Sequence, residues 1–486
     1  MSDAKLSSSE LSVKDISYFP QIIQGGMGIA VSGWKLANAV GKAGQMGVVS
    51  GTVIDVVHSR ILGDGDPGGH LRRAYEHFPV PEMAQRVLDT YFVEGGREPG
   101  QSYKNVPAWA DVPPQGLVEL SIVSNFGEVW LAKEGHDSPV GINFLEKIQL
   151  PVVCSAIGAM LAGVDAIIMG AGIPKQMPRL LRDLHAGKKG EYKIVVEGAL
   201  QGEEYSISQD PVALLGPDVE LKMPAFLAII TSNTLCSFLM KDPETCPDGF
   251  IIEMPTAGGH NAPPRGALKL DELGQPIYGD RDFPDFEKMT EAGLPYWIAG
   301  SWGKPQMLKE ALALGAHGVQ VGTAFAFSDE SGFSADVKRQ VFEQVEVGGA
   351  KVFTDPIASP SGFPFKVVEL PGTASEKEVY LERKRVCDLS YLRSCYRKED
   401  GTVGYRCSAE PVNIFVRKGG TVEQTEGKKC LCNHLMSNIG LGQLRKGEAE
   451  PTLVTSGDDL TEMVTTLGKG RGRYGAVDVL NYILEN

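Results

Sequence analysis

The feature that most constrains this chain is a rhythm of eight short apolar runs, most of them leading through glycine into a helical pattern. They are "PQIIQGG" (20–26), "MGVVSG" (46–51), "PVGINFL" (139–145), "VDAIIMG" (164–170), "PAFLAII" (224–230), "GFIIEM" (249–254), "PYWIAG" (295–300) and "HGVQVG" (317–322). Most are apolar at successive positions and do not alternate, as expected of strands covered on both faces. Between them, Leu36, Ala39, Val40 and Ala43 recur at helical spacing, and "KPQMLKEALALG" places Pro305 in a first turn and Gly315 at a stop. Eight strand-then-helix units predict an α/β fold, a closed (β/α)8 barrel of the TIM type, with its active site at the C-terminal ends of the strands. An open doubly wound sheet is the rival architecture.

Three segments interrupt the rhythm. Residues 60–125 stand between the second and third runs, and 187–222 read as a hairpin plus loop. After about residue 366 the pattern stops. The expected organisation is a barrel over 1–365 carrying two insertions, followed by a cysteine-containing subdomain over 366–486. A net charge of −14 argues against nucleic acid or an anionic membrane as partner. No run approaches the roughly 18 apolar residues of a membrane span. The polar N-terminus "MSDAKLSSSELSVKD" has no apolar stretch of a secretory signal, so a cytoplasmic protein acting on a small molecule is expected.

The loops after the last two runs carry chemistry. "IAGSWGK" and "VQVGTAF" offer Gly300, Ser301, Gly303, Gly322 and Thr323, where backbone N–H groups and hydroxyls can crowd a phosphate. After the first run, Gly25, Gly26 and Met27 suit close approach of backbone to a flat ring. Gly26-x-Gly28 lacks the rest of a dinucleotide fingerprint, and Gly470-x-Gly472-x-x-Gly475 follows a helical pattern instead of a strand. The tripeptide Gly-Gly-His occurs twice. His260 directly follows the sixth run and so projects into the barrel mouth, whereas His70 sits in the long insertion. With an ordinary pKa near 6.5, the first could act as a general base. Five of the eight cysteines lie between 387 and 432. Cys387, Cys407, Cys430 and Cys432 would make four zinc or iron–sulfur ligands, although their spacing matches no standard finger or ferredoxin, and reduced structural thiols are the competing reading.

Three separated blocks, "PQIIQGGMGIAVSGWKLANAVGKAGQMGVVSGT", "EMPTAGGHNAP" and "IAGSWGKPQMLKEALALGAHGVQVGTAF", resemble the nitronate monooxygenase (2-nitropropane dioxygenase) family. The resemblance implies an FMN-dependent (β/α)8 barrel that oxidises alkyl nitronates with O2 to a carbonyl compound and nitrite. It also implies that Gln24, Gly25, Gly26 and Met27 line the isoalloxazine and that Asn143 is a polar contact to the flavin. Gly300, Ser301, Gly322 and Thr323 would hold the phosphate, and His260 would be the catalytic histidine. The chain departs from the family's pattern by placing Ser301 where a second glycine is usual, and by its long insertion and tail. Flavin-dependent enoyl-thioester reductases share the same barrel and motifs and are the alternative. A non-redox barrel binding a phosphorylated ligand is the second alternative.

Overall fold

The computed structural model describes residues 14–485, so the N-terminal stretch read for a secretory signal lies outside them up to residue 13. All eight apolar runs contain strands: β1 (Ile22–Gln24), β2 (Gly47–Ser50), β3 (Val140–Leu145) and β4 (Ala166–Gly170). They continue with β5 (Ala225–Ile230), β6 (Gly249–Glu253), β7 (Tyr296–Ala299) and β8 (Gly318–Val321). Each pairs in parallel with its sequence neighbour from β2 to β8, and β8 pairs in parallel with β1. The last gap, between β1 and β2, is closed by a parallel bridge at Ile23 and Met46. There the Gln24 N–H donates to the Met46 carbonyl at 2.9 Å. A closed ring has no edge strand, so the open doubly wound alternative is ruled out.

The side chains that fill the barrel explain why the runs are continuously apolar. Ile23, Val48, Ile168, Leu227, Ile251 and Trp297 form a core of their own inside the ring, while the outward residues pack beneath helices. Trp297 is fully buried, donates from Nε1 to the Pro20 carbonyl at 3.0 Å, and lies 6.3 Å from the Phe19 ring. These aromatic rings floor the N-terminal end of the barrel and leave the loops at the opposite end to form a mouth.

Eight helices follow the strands in turn: α1 (Trp34–Lys42), α2 (Gln115–Ala132), α3 (Val152–Leu161) and α4 (Met177–His185). After them come α5 (Asn233–Met240), α6 (Phe286–Ala292), α7 (Pro305–Ala313) and α8 (Ala476–Leu484). The last is the chain's final helix. Ala476, Val479, Leu480 and Ile483, at i, i+3, i+4 and i+7, are buried, and the helix packs against both α1 and α7. It therefore takes the eighth position of the helical ring, and the long stretch from 327 to 475 is a loop-out between β8 and α8. One hydrophobic core runs through both sides of residue 366, from Ile22 and Val49 to Leu431, Val454 and Val479.

The loop-outs meet above the mouth. The hairpin expected within 187–222 is present as strands Gly190–Lys193 and Ser206–Gln209. Between them, Val196–Glu197 joins Ser394–Arg397 and Val403–Arg406 of the tail in a three-stranded sheet. The insertion after β2 is helical, with Ile54–Gly63, His70–Tyr75 and Pro81–Tyr91 ahead of α2. Among the described residues no helix is long and apolar enough to cross a membrane.

Candidate functional site

The loops at the C-terminal ends of the strands enclose a cavity of about 230 Å³. Its walls are Gly25–Gly28 after β1, Asn143–Leu145 of β3, Glu253 of β6 and Ala257–His260 beyond it. Ala299–Gly303 at the end of β7, Gln320–Thr323 at the end of β8, and the tail residues Tyr391, Leu392, Cys432, Thr455–Gly457 and Asp459 also line it. The mouth of the barrel is the candidate active site.

Gly25, Gly26, Met27 and Asn143 lie together on one wall, as the sequence led us to expect. The need for glycine at Gly26 is steric and comes from inside the protein: an added Cβ would sit 2.2 Å from the Asn143 Cβ. Met27 is fixed by its N–H donating to the Ser32 hydroxyl at 2.6 Å, with its sulfur beside Gly322. Gln24 is a correction. It does not line the cavity. It is fully buried, its Oε1 accepts from the Val48 N–H at 3.1 Å and its Nε2 donates to the Gly25 carbonyl. The reason is strand parity: Ile23 points into the barrel, so its neighbour Gln24 points the other way with Ile22, where a buried amide must find partners, and it clamps β1 to β2.

Gly300, Ser301, Gly322 and Thr323 also reach the cavity. Ser301 has a backbone φ of +60°, a left-handed conformation that costs a non-glycine residue energy, and its hydroxyl oxygen is buried without a partner. A strained serine with an unsatisfied hydroxyl at the end of β7 fits an anionic oxygen as its partner. The Thr256 hydroxyl holds the loop by donating to the Gly300 carbonyl at 2.9 Å. The FMN phosphate fits this donor set, and the glycine wall after β1 fits a flat ring system.

His260 stands on the cavity wall and His70 does not. The ring of His70 rests instead against Trp34, with centroids 4.9 Å apart. Nε2 of His260 is 2.7 Å from the Ser359 hydroxyl, which is 2.7 Å from that of Ser361, and the imidazole meets the Phe365 ring edge-on at 4.9 Å. Burial pushes its pKa down to about 4. This corrects the expectation of an ordinary imidazole poised to take a proton: His260 is neutral throughout the physiological range and is a weak base. Glu253, the last residue of β6, lines the same cavity, and burial pushes its carboxyl up to about 8. Sequence reading passed over it within "GFIIEM". The available signal was a lone glutamate ending an otherwise apolar parallel strand. Ser359, Tyr391, Ser456 and Asp459 were missed because they come from the long loop-out after β8, which carries no strand-then-helix rhythm.

The four cysteines do converge, on a small cavity of about 10 Å³ bounded by Cys387, Cys407, Cys430 and Cys432. No group of three or more His, Cys, Asp or Glu among the described residues is arranged to hold a metal ion. The hydrogen bond with Cys387, and then burial, push the Cys407 thiol up, and burial pushes up those of Cys430 and Cys432, away from the thiolate form a metal requires. Cys387 alone is drawn down, by its hydrogen bond with Cys407. The zinc or iron–sulfur expectation is not supported.

No family model matches the chain, and no curated protein matches it. Among solved structures it is similar to FabK from Thermotoga maritima, with 14% identity, 96% of this chain and 92% of that one covered, and a TM-score of 0.48. It is similar to the enoyl reductase domain of MlnA from the macrolactin biosynthesis cluster of Bacillus amyloliquefaciens, with 11% identity, 97% of each chain covered and a TM-score of 0.47. The nitroalkane oxidase from Streptomyces ansochromogenes is similar at 15% identity, with 96% and 95% covered and a TM-score of 0.45.

Proposed function

We propose that the protein is an FMN-dependent oxidoreductase whose reaction is the oxidation of alkyl nitronates by O2 to a carbonyl compound and nitrite. The observation that carries this reading is the meeting in one cavity of three things: the donor loops of β7 and β8, the close-packed Gly25–Gly26–Met27 wall, and His260. FMN, when bound, supplies a two-electron acceptor whose reduced form reacts with O2. Gly300, Ser301, Gly322 and Thr323 would hold its phosphate, and Gly25, Gly26, Met27 and Asn143 would face its ring.

The titratable groups favour a substrate that arrives as an anion. An imidazole with a pKa near 4 is poorly matched to pulling a proton from carbon at neutral pH, but as a neutral ring it can position and hydrogen-bond a nitronate oxygen. Glu253 is protonated below about pH 8, so it does not repel the anion and can donate to it. The same proton favours a second reading, NAD(P)H-dependent reduction of an enoyl thioester, because saturating a carbon–carbon double bond needs an acid beside the substrate. The two separate in a direct assay. Nitrite release and O2 consumption with an alkyl nitronate support the first. NAD(P)H consumption with an enoyl thioester, without nitrite from nitronates, would replace it with the second. A protein that binds no flavin would move the reading to a non-redox barrel for a phosphorylated ligand.

A further inference from the structure

The segment Thr455–Asp459, far along the chain from the barrel loops that carry the phosphate and histidine motifs, lies against the anion end of the cavity. It is laced to the loops of β6 and β8. The Thr455 hydroxyl accepts from the Gly259 N–H at 2.9 Å, the Gly457 N–H donates to the Thr323 hydroxyl at 3.1 Å, and the Asp458 N–H donates to the Thr256 carbonyl at 3.0 Å. Glycine is required at 457 by this proximity, since an added Cβ would stand 2.7 Å from the Thr323 hydroxyl oxygen. Packed this closely, the segment leaves the Ser456 hydroxyl buried with no partner, in a residue only 4% exposed. Ser301 in the loop after β7 has the same unsatisfied hydroxyl, and both residues line the one cavity. Buried hydroxyls normally have partners, and two without one in the lining of a single cavity form a donor set matched to an anion. The nine-residue helix Leu460–Gly468 begins directly after the segment, adding a positive dipole end. An acidic side chain, Asp459, lines this end as well. It lies against Thr323, its Oδ1 is buried without a partner, and burial pushes its carboxyl up.

We propose that Ser456 binds the phosphate monoester of the cofactor together with Ser301, so that the tail supplies a third arm of the phosphate site. The inference rests on the FMN reading and adds a residue that the barrel loops alone do not contain. It also gives the tail a role in cofactor choice, since only a phosphorylated flavin reaches this arm.

The test is titration of flavin-free protein with FMN and with riboflavin, followed by quenching of flavin fluorescence. The wild type should bind FMN at least about tenfold more tightly than riboflavin, as expected for charge-assisted hydrogen bonds to a phosphate. Ser456→Ala should weaken FMN about tenfold, leave riboflavin unchanged, and melt at the wild-type temperature without flavin. An unchanged FMN affinity in the variant overturns the proposal. Equal weakening of both flavins with a lowered melting temperature also overturns it, by making Ser456 a packing residue. A wild type that binds both flavins equally overturns the phosphate arm while leaving a flavoprotein. A wild type that binds neither overturns the underlying FMN reading and the inference with it.

Discussion

Glu253 and His260 face one cavity, and the same burial pushes their pKa values in opposite directions, up to about 8 for the acid and down to about 4 for the imidazole. Both groups are thereby neutral at pH 7, which suits a cavity that receives a negatively charged substrate. Glu253 ionises as pH rises through about 8, and a carboxylate there repels an anion. We therefore expect kcat/KM for a nitronate to fall above that pH, and Glu253→Gln to remove the falling limb. By linkage the fold also loses stability over the rise from about 4.5 to about 8, because the native state holds a proton that the unfolded chain releases. A pH–rate profile of the two proteins checks the assignment, and an identical limb in both contradicts it. His260→Ala should retain flavin while turnover falls by about 10²–10³-fold, the usual cost of losing a positioned donor. His260 was legible because it directly follows a strand. Glu253 and Gln24 turned on which way a strand residue points, and a run buried on both faces has no alternation to reveal it.

At the scale of elements, the loop after β1 folds over onto β3 so closely that Gly26 and Asn143 share one space. Gly26→Ala places a Cβ 2.2 Å from the Cβ of Asn143, which is held within β3 by the barrel's hydrogen bonding, so it cannot yield easily. The expected result is a loss of about 1–3 kcal/mol of stability, the ordinary cost of overpacking, together with loss of flavin binding. Denaturant unfolding and the flavin content of the purified variant check it. The barrel strands were readable because a strand covered on both sides is written as an unbroken apolar run. The sheet above the mouth was not, since Val196–Glu197 and Ser394–Arg397 pair across some two hundred residues, and two- or four-residue strands carry too little pattern to announce themselves.

For the molecule as a whole, the chain returns at its end to finish the barrel. Deleting residues 476–486 would strip α8 from α1 and α7 and lose the burial of Val479, Leu480 and Ile483, worth about 1.5–3 kcal/mol each. The truncated protein should lack a cooperative melting transition, whereas one that melts like the full chain would contradict the placement of α8 as the barrel's eighth helix. The tail's role was hidden in the sequence for a physical reason: its pairings are with loops of β6 and β8 and with helices at the start of the chain, and no local spacing encodes such contacts. Even the clustering of cysteines, which was visible, pointed to a metal that the arrangement of the thiols does not support. The central claim is that the barrel mouth holds FMN, and the most direct measurement is the visible absorption spectrum of the purified protein, followed by identification of any pigment released on denaturation. The account predicts the two bands of an oxidised flavin near one equivalent per chain, released as FMN; a colourless protein that stays colourless after incubation with FMN would contradict it.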